Sequence, residues 1–158
     1  MDWQQVISDP TLADLPYKIE LNEWGNIEMS PASNRHSGLQ MAIALLLRVH
    51  LPNGKSYTEM SINTSKNVKV ADVVWGSTRF FEKHGLETPY TRAPEICVEV
   101  ISPSNSNAEM MIKKDLYLAK GAQEVWFCSE AGEMSFYDHG GQLETSALCS
   151  DFPKVVEP

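Results

Sequence analysis

The chain of 158 residues is 42% apolar and 22% charged, and its formal net charge is −8 at pH 7. These values exclude a chain that is disordered throughout, and the length suits one domain with a sizeable core. No window approaches the run of about 18 apolar residues that a membrane-spanning helix needs. The acidic start MDWQQVISDP lacks the basic region of a signal peptide, so secretion is not expected either.

The three cysteines, Cys97, Cys128 and Cys149, are odd in number, widely spaced and free of a CxxC motif. This spacing gives little support to a disulfide or to a structural zinc site. It is typical of a reducing compartment, so we expect a cytoplasmic protein in which Cys97 and Cys128 pack within strands.

The negative charge is concentrated at the two ends of the chain. Residues 1–30 and 129–158 each have a net charge of −5, whereas residues 31–128 have a net charge of +2. A net charge of −8 by itself argues against nucleic-acid binding, but the central part could still face phosphate groups. The charge therefore leaves the class of substrate open.

The first half of the chain predicts a hairpin, a helix and two strands. YKIELNEWGNIEMSP (17–31) alternates around Trp24-Gly25-Asn26, as in a hairpin. A helical period follows, with Ser33 as the N-cap and a stop at residues 52–54. Its predicted apolar stripe consists of Leu39, Ile43, Leu46, Leu47 and His50. Residues 56–63 and 68–75 then have the composition of two strands.

The second half predicts a strand over residues 95–101, a helix and a second hairpin. The helix begins with the capping box Ser106-Asn107-Ala108-Glu109 and ends at Gly121. Its predicted inner stripe consists of Ala108, Ile112, Leu116 and Ala119. Two strands around Gly132 form the hairpin, and an acidic tail over residues 142–158 has few apolar anchors. This order predicts an α+β or mixed α/β layer fold in one domain over residues 1–158, with its core at about 15–140.

Two acids lie within otherwise apolar strands. Asp72 is part of VKVADVVW, and Glu99 is part of ICVEVIS. A carboxylate in a central strand is rarely buried unless it is paired, so each needs a cation, a metal ion or a proton. Two such acids could converge on magnesium or manganese, but each could equally face solvent at a strand end or pair with an arginine.

Lys113 and His36 are further candidates for chemistry. Lys113 follows Glu109 by four residues, which suits a surface ion pair, yet it also borders the predicted inner stripe and could reach the two acids. His36 lies in the first turn of its helix, where a capping role is favoured over a phosphate contact. The chain lacks the motifs GxSxG, GxxxxGK[ST] and GxGxxG, so nothing in it predicts the corresponding hydrolase or nucleotide-binding sites.

Three segments of the chain together resemble the Uma-two family of endonucleases. They are VADVVW, PEICVEVISPSNS and IKKDLYLAKGAQEVWFCS. The opening YKIELNEWGNIEMSPASNRH is similar to that family's first hairpin, and the resemblance covers roughly residues 15–140. The family is similar to the PD-(D/E)XK superfamily, which implies a restriction-endonuclease-like mixed sheet flanked by helices. Ala71 replaces the usual proline of the motif, and Ile101 stands where the superfamily has its lysine.

The resemblance also implies which residues form the site and what they do. Asp72 and Glu99 match the two motif acids and would hold Mg²⁺ or Mn²⁺, and Lys113 would replace the missing lysine. Glu20 matches an acid of the opening hairpin and would complete the site, while Glu28 falls at a variable position. The implied activity is metal-dependent endonucleolytic hydrolysis of phosphodiester bonds in DNA.

Two alternatives remain open from the sequence. The chain could be a catalytically inactive nuclease-fold module for binding, in which Asp72 and Glu99 are satisfied by arginine or backbone donors. It could also be a metal-dependent hydrolase of a small phosphoester, for which an acidic surface would hardly matter. A hairpin edge could mediate a homodimer, although no residue marks one. We expect no membrane partner.

Overall fold

A six-stranded mixed sheet forms the centre of the computed structural model, which describes residues 1–158. Its strands are β3 (Gly54–Thr64), β4 (Asn67–Ser77), β5 (Ile96–Val100), β6 (Glu124–Cys128), β7 (Met134–Asp138) and β8 (Gly141–Leu143). They lie in chain order, and all neighbours are antiparallel except the parallel pair β5 and β6. A separate antiparallel hairpin consists of β1 (Tyr17–Leu21) and β2 (Ile27–Pro31).

Four helices accompany these strands. They are α1 (Trp3–Ser8), α2 (Asn34–His50), α3 (Thr78–His84) and α4 (Asn107–Ala119). One apolar cluster joins α2 to one face of the sheet, and a second joins α3 and α4 to the other face. The predicted mixed fold with a sheet flanked by helices is therefore confirmed. None of the helices has the length and apolar character needed to cross a bilayer.

Most predicted elements are present with shifted ends. The hairpin, the long α2 helix with Ser33 as N-cap and the capping box of α4 are as predicted. The short elements α1, α3 and β8 were not predicted, because six-, seven- and three-residue segments carry too little periodicity to be recognised.

The predicted inner stripe of α4 is correct only at Leu116. Ala108 and Ala119 are exposed and Ile112 is 47% exposed, whereas the buried residues are Met110, Leu116, Tyr117 and Leu118. The helix is rotated relative to the prediction because its inner face has to accommodate the polar ends of Lys113 and Tyr117 as well as apolar groups. An apolar stripe alone does not locate such a face.

The C-terminal tail is better anchored than the sequence suggested. Cys149, Phe152 and Val156 are buried in the cluster formed by α2 and the sheet. The backbone of Gly132 (φ +85°) lies against Val156, where a Cβ atom would clash with the Val156 carbonyl oxygen. Burial of these three spaced apolar side chains holds the tail against one side of the core.

Candidate active site

The β4–β5 ladder ends beside the two acids that the sequence singled out. Its last pair is Val73 with Val98, so Asp72 and Glu99 stand directly beyond the ladder. Asp72 takes over the role of a ladder acceptor, because its Oδ2 accepts a hydrogen bond of 2.8 Å from the Val100 backbone N–H. The two residues are 1% and 2% exposed, so each carboxylate has lost most of its water.

Strand β1 adds one acid and one lysine to this place. Lys18 and Glu20 are two residues apart and thus share one face of the strand. Glu20 is 7% exposed, and its Oε2 accepts a hydrogen bond of 2.7 Å from the Val70 backbone N–H of β4. Lys69 donates to the Leu21 carbonyl oxygen at 2.9 Å, which further fixes the hairpin against β4.

Lys18 bridges the two motif acids. Its Nζ lies 3.1 Å from Asp72 Oδ1 and 2.9 Å from Glu99 Oε2, and its side chain is only 11% exposed. A divalent cation shared by the same two oxygens would stand closer to them, at about 2.0–2.1 Å for magnesium. The ammonium group of Lys18 therefore takes the place at which a metal ion would join Asp72 to Glu99.

Helix α4 contributes Lys113 and Tyr117, which are one turn apart and face the same carboxylate. Lys113 Nζ lies 3.2 Å from Glu99 Oε1 and 2.9 Å from Glu20 Oε2, so it joins β5 to β1. The Tyr117 hydroxyl donates to Glu99 Oε1 at 2.7 Å and is buried. Burial opposes the charge of Glu20, but Lys113 and Lys18 outweigh it and hold the pKa of Glu20 below its usual value.

His36 approaches the site from the first turn of α2. Its Nε2 lies 3.3 Å from Asp72 Oδ1, and this hydrogen bond raises the pKa of His36. The capping interaction is made by Ser33, whose Oγ accepts from the His36 backbone N–H at 3.1 Å. The favoured reading of His36 as a cap is thus wrong for its side chain, which faces Asp72 instead.

The electrostatic balance differs between the two motif acids. Burial opposes the charge of Asp72, but Lys18 and the hydrogen bond from His36 hold the pKa of Asp72 well below its usual range. Burial also opposes the charge of Glu99, and there it outweighs Lys113 and Lys18, so the pKa of Glu99 is raised. Lys18 itself loses hydration, but the surrounding carboxylates raise its pKa well above the usual value. Glu99 is therefore the acid whose charge is least compensated.

These groups line a cavity of about 410 Å³. The charged side chains around it are four lysines (Lys18, Lys66, Lys69 and Lys113) and six acids (Glu20, Glu23, Glu28, Asp72, Glu99 and Glu109). The acids outnumber the lysines by two, so the lining has an excess of acidic groups. The exposed Glu28 lies 3.9 Å from Lys69 at the rim rather than among the buried acids.

The side chains of the site can supply ligands for a hard divalent cation, provided that the ion displaces Lys18. Carboxylate oxygens are the ligands that magnesium and manganese prefer, and Asp72 Oδ1 and Glu99 Oε2 already converge on one point. However, no three ligand atoms of the acids and His36 lie within 4.8 Å of one another. Lys18 and Lys113 stand between the carboxylates, so a metal ion would have to displace Lys18.

All five candidate residues from the sequence line this one cavity: Asp72, Glu99, Lys113, Glu20 and His36. Two participants were missed, Lys18 and Tyr117. Lys18 could have been found from its spacing of two residues from Glu20 in a predicted strand, which places both on one face. Tyr117 is buried like a core residue, but four residues after Lys113 its hydroxyl also falls at the site.

Comparisons with known proteins agree with the fold and the resemblance. The sequence profile of the Uma2 family, described as "Putative restriction endonuclease", matches residues 10–153. A crystal structure described as a putative nuclease belonging to DUF820 from Anabaena variabilis ATCC 29413 superposes with a TM-score of 0.72. That structure is 15% identical in sequence, and the match covers 87% of this chain and 86% of that one. No curated protein sequence matches significantly.

Proposed function

The chain belongs to the Uma2 family, and we propose that it is a metal-dependent endonuclease that hydrolyses phosphodiester bonds in DNA. Membership of a family described as putative restriction endonucleases supports a nuclease, and such families are typically metal-dependent. The observation that carries the proposal is the convergence of three buried carboxylates and two lysines in one open cavity. Structural ion pairs alone do not need such an opening to solvent.

Asp72 and Glu99 would hold the metal ion, and Glu20 would complete the set of carboxylates. A bound Mg²⁺ or Mn²⁺ would polarise the phosphate and acidify a water molecule. The acids are already oriented for this task, because backbone N–H groups fix one oxygen each of Asp72 and Glu20. The Tyr117 hydroxyl fixes Glu99 in the same way.

Lys113 would act on the substrate side of the site. Its ammonium group is held between Glu20 and Glu99, with an exposed fraction of 13%, and therefore reaches the cavity from α4. From there it can donate to a non-bridging phosphate oxygen and stabilise the charge that develops during attack. His36 orients Asp72, and its position at the start of α2 lets it contact the scissile phosphate from the other side.

One observation favours a second candidate function, that of a catalytically inactive binding module. That alternative predicts that arginine or backbone donors satisfy the motif acids. Here Lys18 and the Val100 backbone N–H satisfy Asp72, although no arginine takes part. The cavity also has more acids than lysines, which is compatible with a third candidate function, hydrolysis of a small phosphoester. Such a substrate needs fewer phosphate contacts than DNA does.

Manganese titrated by calorimetry into the wild type, Asp72→Asn and Glu99→Gln tests the proposal first. We expect wild-type binding that both changes abolish, because each removes a carboxylate oxygen shared by the cation site. Glu28→Gln is the matched control, since this exposed acid lines the same cavity at its rim and should leave the affinity within about twofold. Circular dichroism would establish that every variant is folded.

Cleavage assays then separate the candidate activities. Supercoiled plasmid, single-stranded DNA and bis(p-nitrophenyl) phosphate are each incubated with the wild type and Asp72→Asn in manganese. Nicking of plasmid that Asp72→Asn loses supports the endonuclease, whereas turnover of the small diester alone supports the phosphoesterase. Absence of manganese binding, with and without duplex DNA, would refute the nuclease and leave the binding module.

A further inference from the structure

A second group of potential metal ligands lies at the other end of α2, away from the nuclease cavity. His50 is the last residue of α2, and Cys149 and Asp151 belong to the C-terminal tail. His50 and His36 are separated by fourteen positions on one helix, which corresponds to about 21 Å at a rise of 1.5 Å per residue. The group is therefore independent of Asp72 and Glu99.

The three side chains converge closely. His50 Nδ1 lies 3.1 Å from Asp151 Oδ2, and Cys149 Sγ lies 3.6 Å from Asp151 Oδ1. One ligand atom from each of the three residues lies within 4.8 Å of the other two. Around a tetrahedral zinc ion, bond lengths of about 2.0–2.3 Å place neighbouring ligand atoms about 3.3–3.6 Å apart. The observed spacing needs only small side-chain adjustments to match that geometry.

The local fold holds the ligands in place. The Phe152 backbone N–H donates to the Cys149 carbonyl oxygen at 3.1 Å, which closes a tight turn and puts Cys149 and Asp151 on the same side of it. The thiol of Cys149 is almost fully buried, whereas Asp151 is exposed and His50 partly so. The cluster is thus buried on its protein side and open to solvent on the other.

We propose that His50, Cys149 and Asp151 bind a zinc ion that fastens the C-terminal tail to the end of α2. Thiolate and imidazole ligands together select zinc over magnesium, and water would complete the tetrahedron at the open side. Binding releases the thiol proton to solvent, since the thiolate is the ligand. Sequence spacing could not indicate this site, because His50 and Asp151 are 101 residues apart.

Cobalt absorption spectroscopy of the tag-free, chelator-treated full chain tests the proposal. Cobalt should produce a near-ultraviolet thiolate-to-metal charge-transfer band and tetrahedral bands in the visible, and added zinc should abolish them. Cys149→Ser should lose the charge-transfer band, and Asp72→Asn should keep it. Cys128→Ser is the matched control, because Cys128 is also a buried free thiol of the same apolar cluster.

A second measurement covers the case in which Cys149→Ser fails to fold. His50→Ala changes a half-buried side chain and should weaken cobalt binding by about 100-fold or more. Loss of a residue that only hydrogen-bonds to a metal ligand already lowers metal affinity by about 10–100-fold. Zinc at 100 times its dissociation constant should raise the wild-type Tm by about 5–10 °C. A wild type without the charge-transfer band, or a band retained by folded Cys149→Ser or undiminished by His50→Ala, would overturn the proposal.

Discussion

Replacement of Lys18 by methionine should tighten manganese binding at the proposed cation position between Asp72 and Glu99. Methionine keeps most of the length of the side chain but removes the ammonium group that lies 3.1 Å from Asp72 and 2.9 Å from Glu99. In the wild type a cation can reach both oxygens only after these two ion pairs are broken. In Lys18→Met the two carboxylates lack that partner, so the cation no longer competes with the Lys18 ammonium group.

The size of the effect follows from the two distances. At about 3 Å and an effective dielectric constant of about 20, each Lys18 pair has a Coulomb energy of roughly 5–6 kcal/mol. Desolvation offsets much of this, and breaking a buried pair typically costs about 3–5 kcal/mol. Because displaced Lys18 can regain water or contact Glu20, we expect a gain in affinity of about 10-fold to 1,000-fold, at about 1.4 kcal/mol per tenfold.

Calorimetry at pH 7.5 measures this gain, and Lys69→Met is the matched control. Lys69 is also buried and lines the same cavity, but its ammonium group donates to the Leu21 carbonyl oxygen rather than to the motif acids. Its replacement should leave the manganese affinity within about twofold of the wild type. Equal or weaker manganese binding by folded Lys18→Met would refute the reasoning and show that Lys18 does not compete for the cation position.

Three further changes test the packing and electrostatics of the fold. Tyr117→Phe removes a buried hydrogen bond to the Glu99 carboxylate, so urea unfolding should show a loss of about 1.5–3 kcal/mol; an unchanged midpoint would contradict that role. The pKa of Glu20 lies below its unfolded value of 4.5, so its charge stabilises the protein above pH 4.5, and this stability is lost as the pH falls through the lowered pKa. Glu20→Gln should therefore be less stable than the wild type at pH 7, and in urea titrations that difference should shrink towards pH 3. Gly132→Ala places a Cβ atom against the Val156 carbonyl oxygen at a positive φ, so we expect a destabilisation of about 1–3 kcal/mol and a loosened tail, measured by urea unfolding and hydrogen exchange.

The sequence located the acids of the site because their local context is informative. A carboxylate between apolar residues of a predicted strand is anomalous on its own, and both Asp72 and Glu99 have that context. Lys18 has no such context, since a lysine in a hairpin strand is ordinarily solvated. Its burial depends on β1 crossing β4, a contact between segments about 50 residues apart that no local pattern records.

The same limit explains the errors in α4 and in the tail. Periodicity identified α4 and its capping box correctly but not the direction that it faces, because a helix over a polar site buries lysine stems and a tyrosine as well as aliphatic groups. The tail contains only Cys149, Phe152 and Val156 as buried apolar residues, too few and too irregularly spaced to form a strand or helix pattern. Their burial follows from the shape of the core that the earlier elements leave open.

The two site lysines differ in their positions because they contact different pairs of acids. Lys18 joins the two acids proposed to share a cation, whereas Lys113 joins Glu99 to Glu20 on the side of α4. A divalent cation would replace the charge of Lys18 between the motif acids, but Lys113 would keep its carboxylate contact with Glu20. The lysine that a cation would displace and the lysine proposed to act on a phosphate therefore belong to different elements, β1 and α4. Displacement of Lys18 by a cation would therefore leave the lysine proposed for catalysis in place.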